Sequence, residues 1–234
     1  MFDAIYLVLI EPIRLALLFV LEHAHALTGS WGLAIIALSL AFNLALLPAY
    51  HLAEKVQNRE RDIQRRMAPK IAEFKWAFKG EERYLMLRAL YRQHGYHPVY
   101  ALRGLLPLAI QIPFFIATYG LLSHYKPIVG EPFLMISDLG RPDHLLFGVN
   151  LMPILMTALN MLAVHLYSRQ LPPRERIQSH VIAVVFLVLL YRSPAGLVLY
   201  WTINNLISVF KSLFYSTGRP KDLPELSHAE PTLP

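Results

Sequence analysis

The sequence predicts an all-α fold: a polytopic membrane protein built from membrane-length helices. Three observations predict it: the overall composition, the length of the apolar blocks, and the way positive charge is distributed between them. Of 234 residues, 55% are hydrophobic and only 16% charged, with a mean hydropathy of +0.40. That is too apolar for an ordinary soluble domain. The 22 Lys and Arg fall in alternate segments: twelve from His51 to Arg103, three from Ser168 to Ser179, three from Lys211 onward, and four elsewhere. Such alternation reports orientation across a bilayer, with the basic segments and C-terminus in the cytoplasm and the N-terminus outside. It also argues against direct recognition of nucleic acid, which would favour a uniformly basic surface. The absence of cysteine excludes disulfides, thiolate metal sites and a catalytic thiol.

Residues 1–27 are apolar but carry Glu11, Pro12, Arg14 and Glu22, so a straight passage through lipid would bury charge beside a helix-breaking residue. They are expected to form an interfacial amphipathic helix on the outer face, with those charges turned to water. Ala24-His25-Ala26 has the small-x-small form of a cleavage site, but the segment opens on Asp3 instead of a basic region. The first span, within 28–50, contains WGLAIIALSLAFNLALLPAY, twenty residues without charge and with Asn43 deep inside. At 1.5 Å per residue this stretch covers about 30 Å, the thickness of the hydrocarbon core. Lipid satisfies none of the amide's hydrogen bonds, so Asn43 should face protein or water.

Residues 51–103 form the large cytoplasmic element. Leu52, Val56, Ile63, Met67, Ile71, Phe74 and Phe78 recur at three, four or seven, one apolar seam of a long helix. Pro69 should kink or restart this arm, and Gly80 should end it before a second arm over 81–94, giving an antiparallel helical hairpin. Further spans are expected at 104–124, 148–167, 178–193 and 194–215, separated by an outer loop (125–147), a cytoplasmic loop (168–177) and the turn Ser193-Pro194-Ala195-Gly196. A disordered cytoplasmic tail is expected over 216–234. Five spans with the N-terminus out agree with the charge alternation.

No motif for covalent, acid–base or metal chemistry is visible. His94 and His97 flank a Gly-Tyr break with no adjacent acid, and His23 and His25 point to different sides of a helix. The spans instead hold neutral polarity. Tyr200, Asn204, Ser208 and Lys211 step by four and three along one face of the last span. Together with Asn43, Gln111, Thr118, Asn160 and His165 they could enclose a wet groove beside lipid. No cation is expected at mid-depth to serve this groove: Lys211 and Arg192 lie near opposite ends of the spans.

Six motifs in order resemble the YidC-type (YidC/Oxa/Alb) membrane protein insertase family. They are GSWGLAII, APKI, LYRQHGYHPVYALRGLLPLAIQIPFFIATYGLL, FLMISDLGRPD, LMPILM and SPAGLVLYWTINNLISVF. The resemblance implies an insertase and chaperone without a chemical reaction, without a cofactor and without nucleotide hydrolysis. Short hydrophobic client segments would enter a hydrophilic groove and leave along spans two and four. Its implied partners are newly made membrane proteins and the bilayer, with a Sec translocon as a further candidate, and its implied location is a bacterial inner membrane. In the family pattern an arginine stands five residues before the proline closing the first span; here that place is Asn43, before Pro48. The missing charge motivates a second reading, a structural or assembly partner of another membrane complex. It also predicts that Asn43→Arg is tolerated. The short tail, carrying both signs of charge, argues against ribosome docking.

Overall fold

The computed structural model describes residues 6–168 and 173–217. Seven α-helices follow in order: α1 Glu11–Thr28, α2 Trp31–Ala77, α3 Gly80–Gln93, α4 Leu106–His124, α5 Leu151–Ser168, α6 Pro173–Leu190 and α7 Ala195–Thr217. Among the described residues there are no strands, only two isolated bridges, Phe133 with Ile136 and Leu146 with Val149. The tail predicted from 216 lies outside the described residues beyond Thr217, as do 169–172 of the predicted cytoplasmic loop.

Two prolines behave differently from the sequence expectation. Pro12 falls in the first turn of α1, directly after a π-helical turn over Tyr6–Ile10, so the helical backbone passes it without a break. Pro69, like Pro48, lies inside α2, which runs for 47 residues without restarting. Each proline deprives one carbonyl, that of Leu44 or Arg65, of its helical donor, a local loss that the turns on either side bridge. The predicted first span and first cytoplasmic arm are therefore one rod, about 70 Å long at 1.5 Å per residue.

The predicted seam of that rod holds at Val56, Ile63, Met67, Ile71, Phe74 and Phe78, each buried or half-buried, and departs from expectation only at its start. Leu52 is exposed, while Ala53, Glu60 and Met67, spaced by seven, are buried. A carboxylate in a buried seam requires partners. Glu60 has them: Arg103 Nη1 at 3.5 Å and Gln64 Nε2 at 3.3 Å. Gln64 also donates to the Tyr96 hydroxyl at 3.2 Å, and the Arg103 guanidinium lies 3.8 Å over the Tyr100 ring. These contacts return the chain after α3 onto α2 and fix the 3₁₀ turn Pro98–Leu105 that feeds α4. Burial and the nearby Glu60 carboxylate raise the Tyr96 hydroxyl above its ordinary pKa.

The apolar core joins α1, α2, α4 and α7 through Leu21, Ile35, Leu38, Leu122 and Leu197. Glu11 and Arg14 on α1 are only partly exposed and pair with each other, Arg14 Nε to Glu11 Oε2 at 2.8 Å, instead of both turning to water. The Tyr125 hydroxyl donates to Glu22 at 3.2 Å; burial and that carboxylate push it up to about 12.

Residues 125–150 form a cap over one end of the bundle. Ile128, Ile136 and Leu139 are buried, and the backbone N–H groups of Ala195 and Gly196 donate to the carbonyls of Arg141 (2.7 Å) and Leu139 (2.8 Å). These are orphan donors of the α7 N-terminus, satisfied from the loop. Asp143 does the same for α5, its Oδ2 accepting from the N–H groups of Leu151 (2.7 Å) and Met152 (3.1 Å). Asn150 donates to the Tyr191 carbonyl at 2.7 Å, tying in the end of α6. Asp143→Ala should therefore lower stability by about 1–2 kcal/mol. Thermal unfolding in detergent checks this, and an unchanged midpoint would show that water serves these donors equally well.

Candidate functional site

Asn43 lies on the buried side of α2, one turn after Ser39, and both reach across to α7. The Oδ1 atom of Asn204 accepts from Ser39 Oγ and from Asn43 Nδ2, each at 2.6 Å. Asn43 Nδ2 also lies 3.0 Å from the Ser39 carbonyl, and Ser208 Oγ bonds the Asn204 carbonyl at 3.0 Å. Lys211 Nζ donates to Asn43 Oδ1 at 3.4 Å. The chain Ser39, Asn204, Asn43, Lys211 thus laces two helices together. A second amide pair, Asn160 Nδ2 to Asn205 Oδ1 at 3.0 Å, joins α5 to α7, and the Tyr50 hydroxyl bonds Gln111 Oε1 between α2 and α4.

These groups open onto a cavity of about 590 Å³ bounded by α2, α4, α5, α6 and α7. Five of the residues expected there line it: Asn43, Gln111, Asn160, Asn204 and Ser208. Three do not. Tyr200 and Thr118 are fully buried; Tyr200 packs on Phe42, ring centroids 5.9 Å apart, and Phe42 itself is part of the cavity wall. The polar stripe of α7 is real as a helix face, but the packed aromatic Phe42, Phe114 and Tyr200 seal its first turn from the cavity. His165 is exposed and outside the lining. It is rotated about 140° around the helix from Asn160, five residues away at about 100° each.

The expectation that no cation serves this site is corrected by the geometry. Lys211 lines the cavity and reaches Asn43, because α7 crosses α2 so that its later turns lie beside Asn43, in the first third of that helix. Position along the chain alone had placed the lysine at a helix end. Arg61 lines the cavity too, with Gln57 and Tyr50. The signal for them was present: Asn43, Tyr50, Gln57 and Arg61 step by seven, seven and four, one face of a single helix. Dividing α2 at the end of the predicted span hid it. Gln178 and Ser179 on α6, Thr157 on α5 and Asn205 and Ser212 on α7 complete the polar lining.

The wall is polar toward α2 and α7 and apolar where α4 faces α6. Leu105, Pro107 and Leu108 stand on one side, Ile182, Ala183 and Phe186 on the other. Phe115 and Phe186 meet at 5.1 Å, and both contact Trp201 at 5.5 Å. Such a chamber can solvate a polar chain segment while offering apolar contact to a hydrophobic one.

The family model described as 60Kd inner membrane protein matches residues 23–221. Among similar curated proteins are the membrane protein insertase YidC of Polynucleobacter asymbioticus, 32% identical over 194 residues, and that of Thiobacillus denitrificans, 31% identical over 201. The matches cover 82% and 86% of this chain but 33% and 35% of those proteins, so the chain spans about a third of the length of the curated relatives it matches. A solved structure, described as an active YidC insertase crystal structure with the first transmembrane domain resolved, shares the fold. It superposes with a TM-score of 0.60 at 24% identity, covering 87% of this chain and 46% of that one. With most of its length matched by the family model, from His23 in α1 past the end of α7, this chain belongs to the 60Kd inner membrane protein family, the YidC-type insertases.

Proposed function

We propose that this protein is a membrane protein insertase and chaperone, which takes short hydrophobic segments of client proteins into the bilayer through the cavity between α2 and α7. The observation that carries this reading is the cavity itself, polar on one wall and apolar on the other, inside a bundle whose outward faces are hydrophobic. Only 22% of the apolar window of Leu106–His124 is buried, and 39% of that in Trp31–Ala77. The core helix of a soluble protein would be mostly buried, so these exposed apolar faces fit lipid. In the proposed arrangement α2 (its first half), α4, α5, α6 and α7 are five spans, α1 lies at the outer interface, and the far half of α2 with α3 forms a cytoplasmic hairpin. The charge alternation supports this orientation.

A polar client flank cannot cross lipid cheaply, because each unsatisfied polar group costs a few kcal/mol there. The amides of Asn43, Gln111, Asn160, Asn204 and Asn205 offer donors and acceptors in place of water. The client's apolar residues then partition outward between α4 and α6. Each Leu, Ile, Phe or Val contributes about 0.3–0.6 kcal/mol at the helix centre, so a full segment moves without nucleotide hydrolysis.

Purified protein reconstituted into vesicles should protect a small single-span client from added protease, several-fold above empty vesicles, and without ATP. A photo-crosslinker at Gln111 should capture that client in transit. No protection above empty vesicles, with one stoichiometric membrane partner copurifying instead, would replace this reading by that of an assembly subunit.

A further inference from the structure

The cavity wall holds two cations, Arg61 and Lys211, and no carboxylate among its lining residues. They are not equivalent. Arg61 lies eighteen residues beyond Asn43 on the same helix, about 27 Å along its axis. Lys211 stands at the level of Asn43 itself, its Nζ 3.4 Å from the amide oxygen. That oxygen is free to accept because the other half of the amide is committed, Nδ2 donating to Asn204 Oδ1 and lying against the Ser39 carbonyl. Asn204 is held in turn by Ser39 Oγ. The neutral chain of hydrogen bonds therefore orients Asn43 with its carbonyl toward α7, where it draws the flexible ammonium inward.

We propose that Lys211 is the specificity-determining residue of this cavity, giving it a positive potential beside Asn43 that favours client flanks bearing Asp or Glu over flanks bearing Lys or Arg, with Asn43 as its positioning residue. This rests on the insertase reading for its biological meaning, but the charge itself is testable without any client. A fixed charge in a confined, low-dielectric wall acts on an incoming ion over several ångströms, more strongly than at an open surface. A second cation on α2 is disfavoured for the same reason. Asn43→Arg alone would place a guanidinium beside the Lys211 ammonium, so the tolerance expected from sequence should hold only once Lys211 is neutralised.

Because the chain has no cysteine, Val164→Cys supplies a unique thiol in the cavity wall. Its reaction rates with an anionic and a cationic methanethiosulfonate of similar size are compared in detergent. Their ratio reports local potential, since the thiolate fraction cancels. Adding Lys211→Gln should lower the anion-to-cation ratio about fivefold. Lys211→Arg should leave it within about twofold, and Asn43→Arg with Lys211→Gln should restore it. A ratio that Lys211→Gln leaves unchanged overturns the proposal. In vesicles, Lys211→Gln should reduce insertion of an acid-flanked client several-fold relative to a neutral-flanked one, and equal losses on both clients would also overturn it. If the wild-type protein inserts neither client while the thiol ratio still falls, the charge assignment stands and the insertase reading fails.

Discussion

Asn204→Leu should destabilise the protein by about 2–4 kcal/mol, although leucine keeps asparagine's branching at Cγ and its number of heavy atoms. One acceptor atom serves two donors from α2, Ser39 Oγ and Asn43 Nδ2. Ser39 is fully buried, so its hydroxyl has no water to turn to. The loss should exceed that of Ser39→Ala, which removes a donor along with its need for a partner. In the double variant the two costs should fall short of additive, because the orphaned hydroxyl is gone. Thermal unfolding in detergent measures all three. Strict additivity would mean that Ser39 and Asn204 act independently, contrary to their 2.6 Å contact. The same substitution releases Asn43 from its orientation, so the thiol-rate ratio described above should also fall, although Lys211 is untouched.

The second large effect lies at the N-terminal end of α7. A Cβ added at Gly196 would stand 3.1 Å from both the Leu139 carbonyl oxygen and Ile35 Cδ1, and 3.3 Å from Ile128 Cδ1. All three neighbours are fully buried, and the Gly196 N–H is bonded to that same carbonyl at 2.8 Å. Alanine needs a shift of a few tenths of an ångström. Leucine has no room: either the cap over 125–150 lifts from α7, or α2 moves away. Gly196→Leu should cost about 3 kcal/mol and Gly196→Ala about 1. Limited proteolysis should show faster cleavage within 125–150 for the leucine variant, tracking the fall in unfolding midpoint. A leucine variant that melts with the parent would show that the cap is not pinned to the helix at this point.

Periodicity carried the sequence reading far where one helix meets one environment. The apolar blocks gave the helices, and Gly80, with its positive φ, marks the break between α2 and α3. It failed where a helix passes between environments. Composition changes after Tyr50 from apolar to charged, and that change looks like an element boundary. The backbone of α2 does not respond to it, and the helix continues past Pro48 and Pro69 although each proline removes one of its hydrogen bonds. The same false boundary separated Asn43 and Tyr50 from Gln57 and Arg61. The burial of Glu60 within that seam, where periodicity offers only apolar residues, follows from the chain returning after α3, where Tyr96 meets Gln64 and Arg103 meets Glu60. Nothing local to residues 52–67 encodes that choice.

The sequence by itself determined which residues are helical, which helices are apolar enough to meet lipid, and that Asn43 has to find polar company, because these follow from side-chain periodicity and the cost of an unpaired amide. Tertiary structure decided what that company is. Whether Tyr200 sits on a cavity or beneath it, and whether a lysine 168 positions away reaches Asn43, depends on how α7 crosses α2. A crossing is set by many small packing contacts at once, Phe42 against Tyr200 and Gly196 against the Leu139 carbonyl among them. Those contacts join residues far apart in the chain, and a pattern read along one helix contains no record of them.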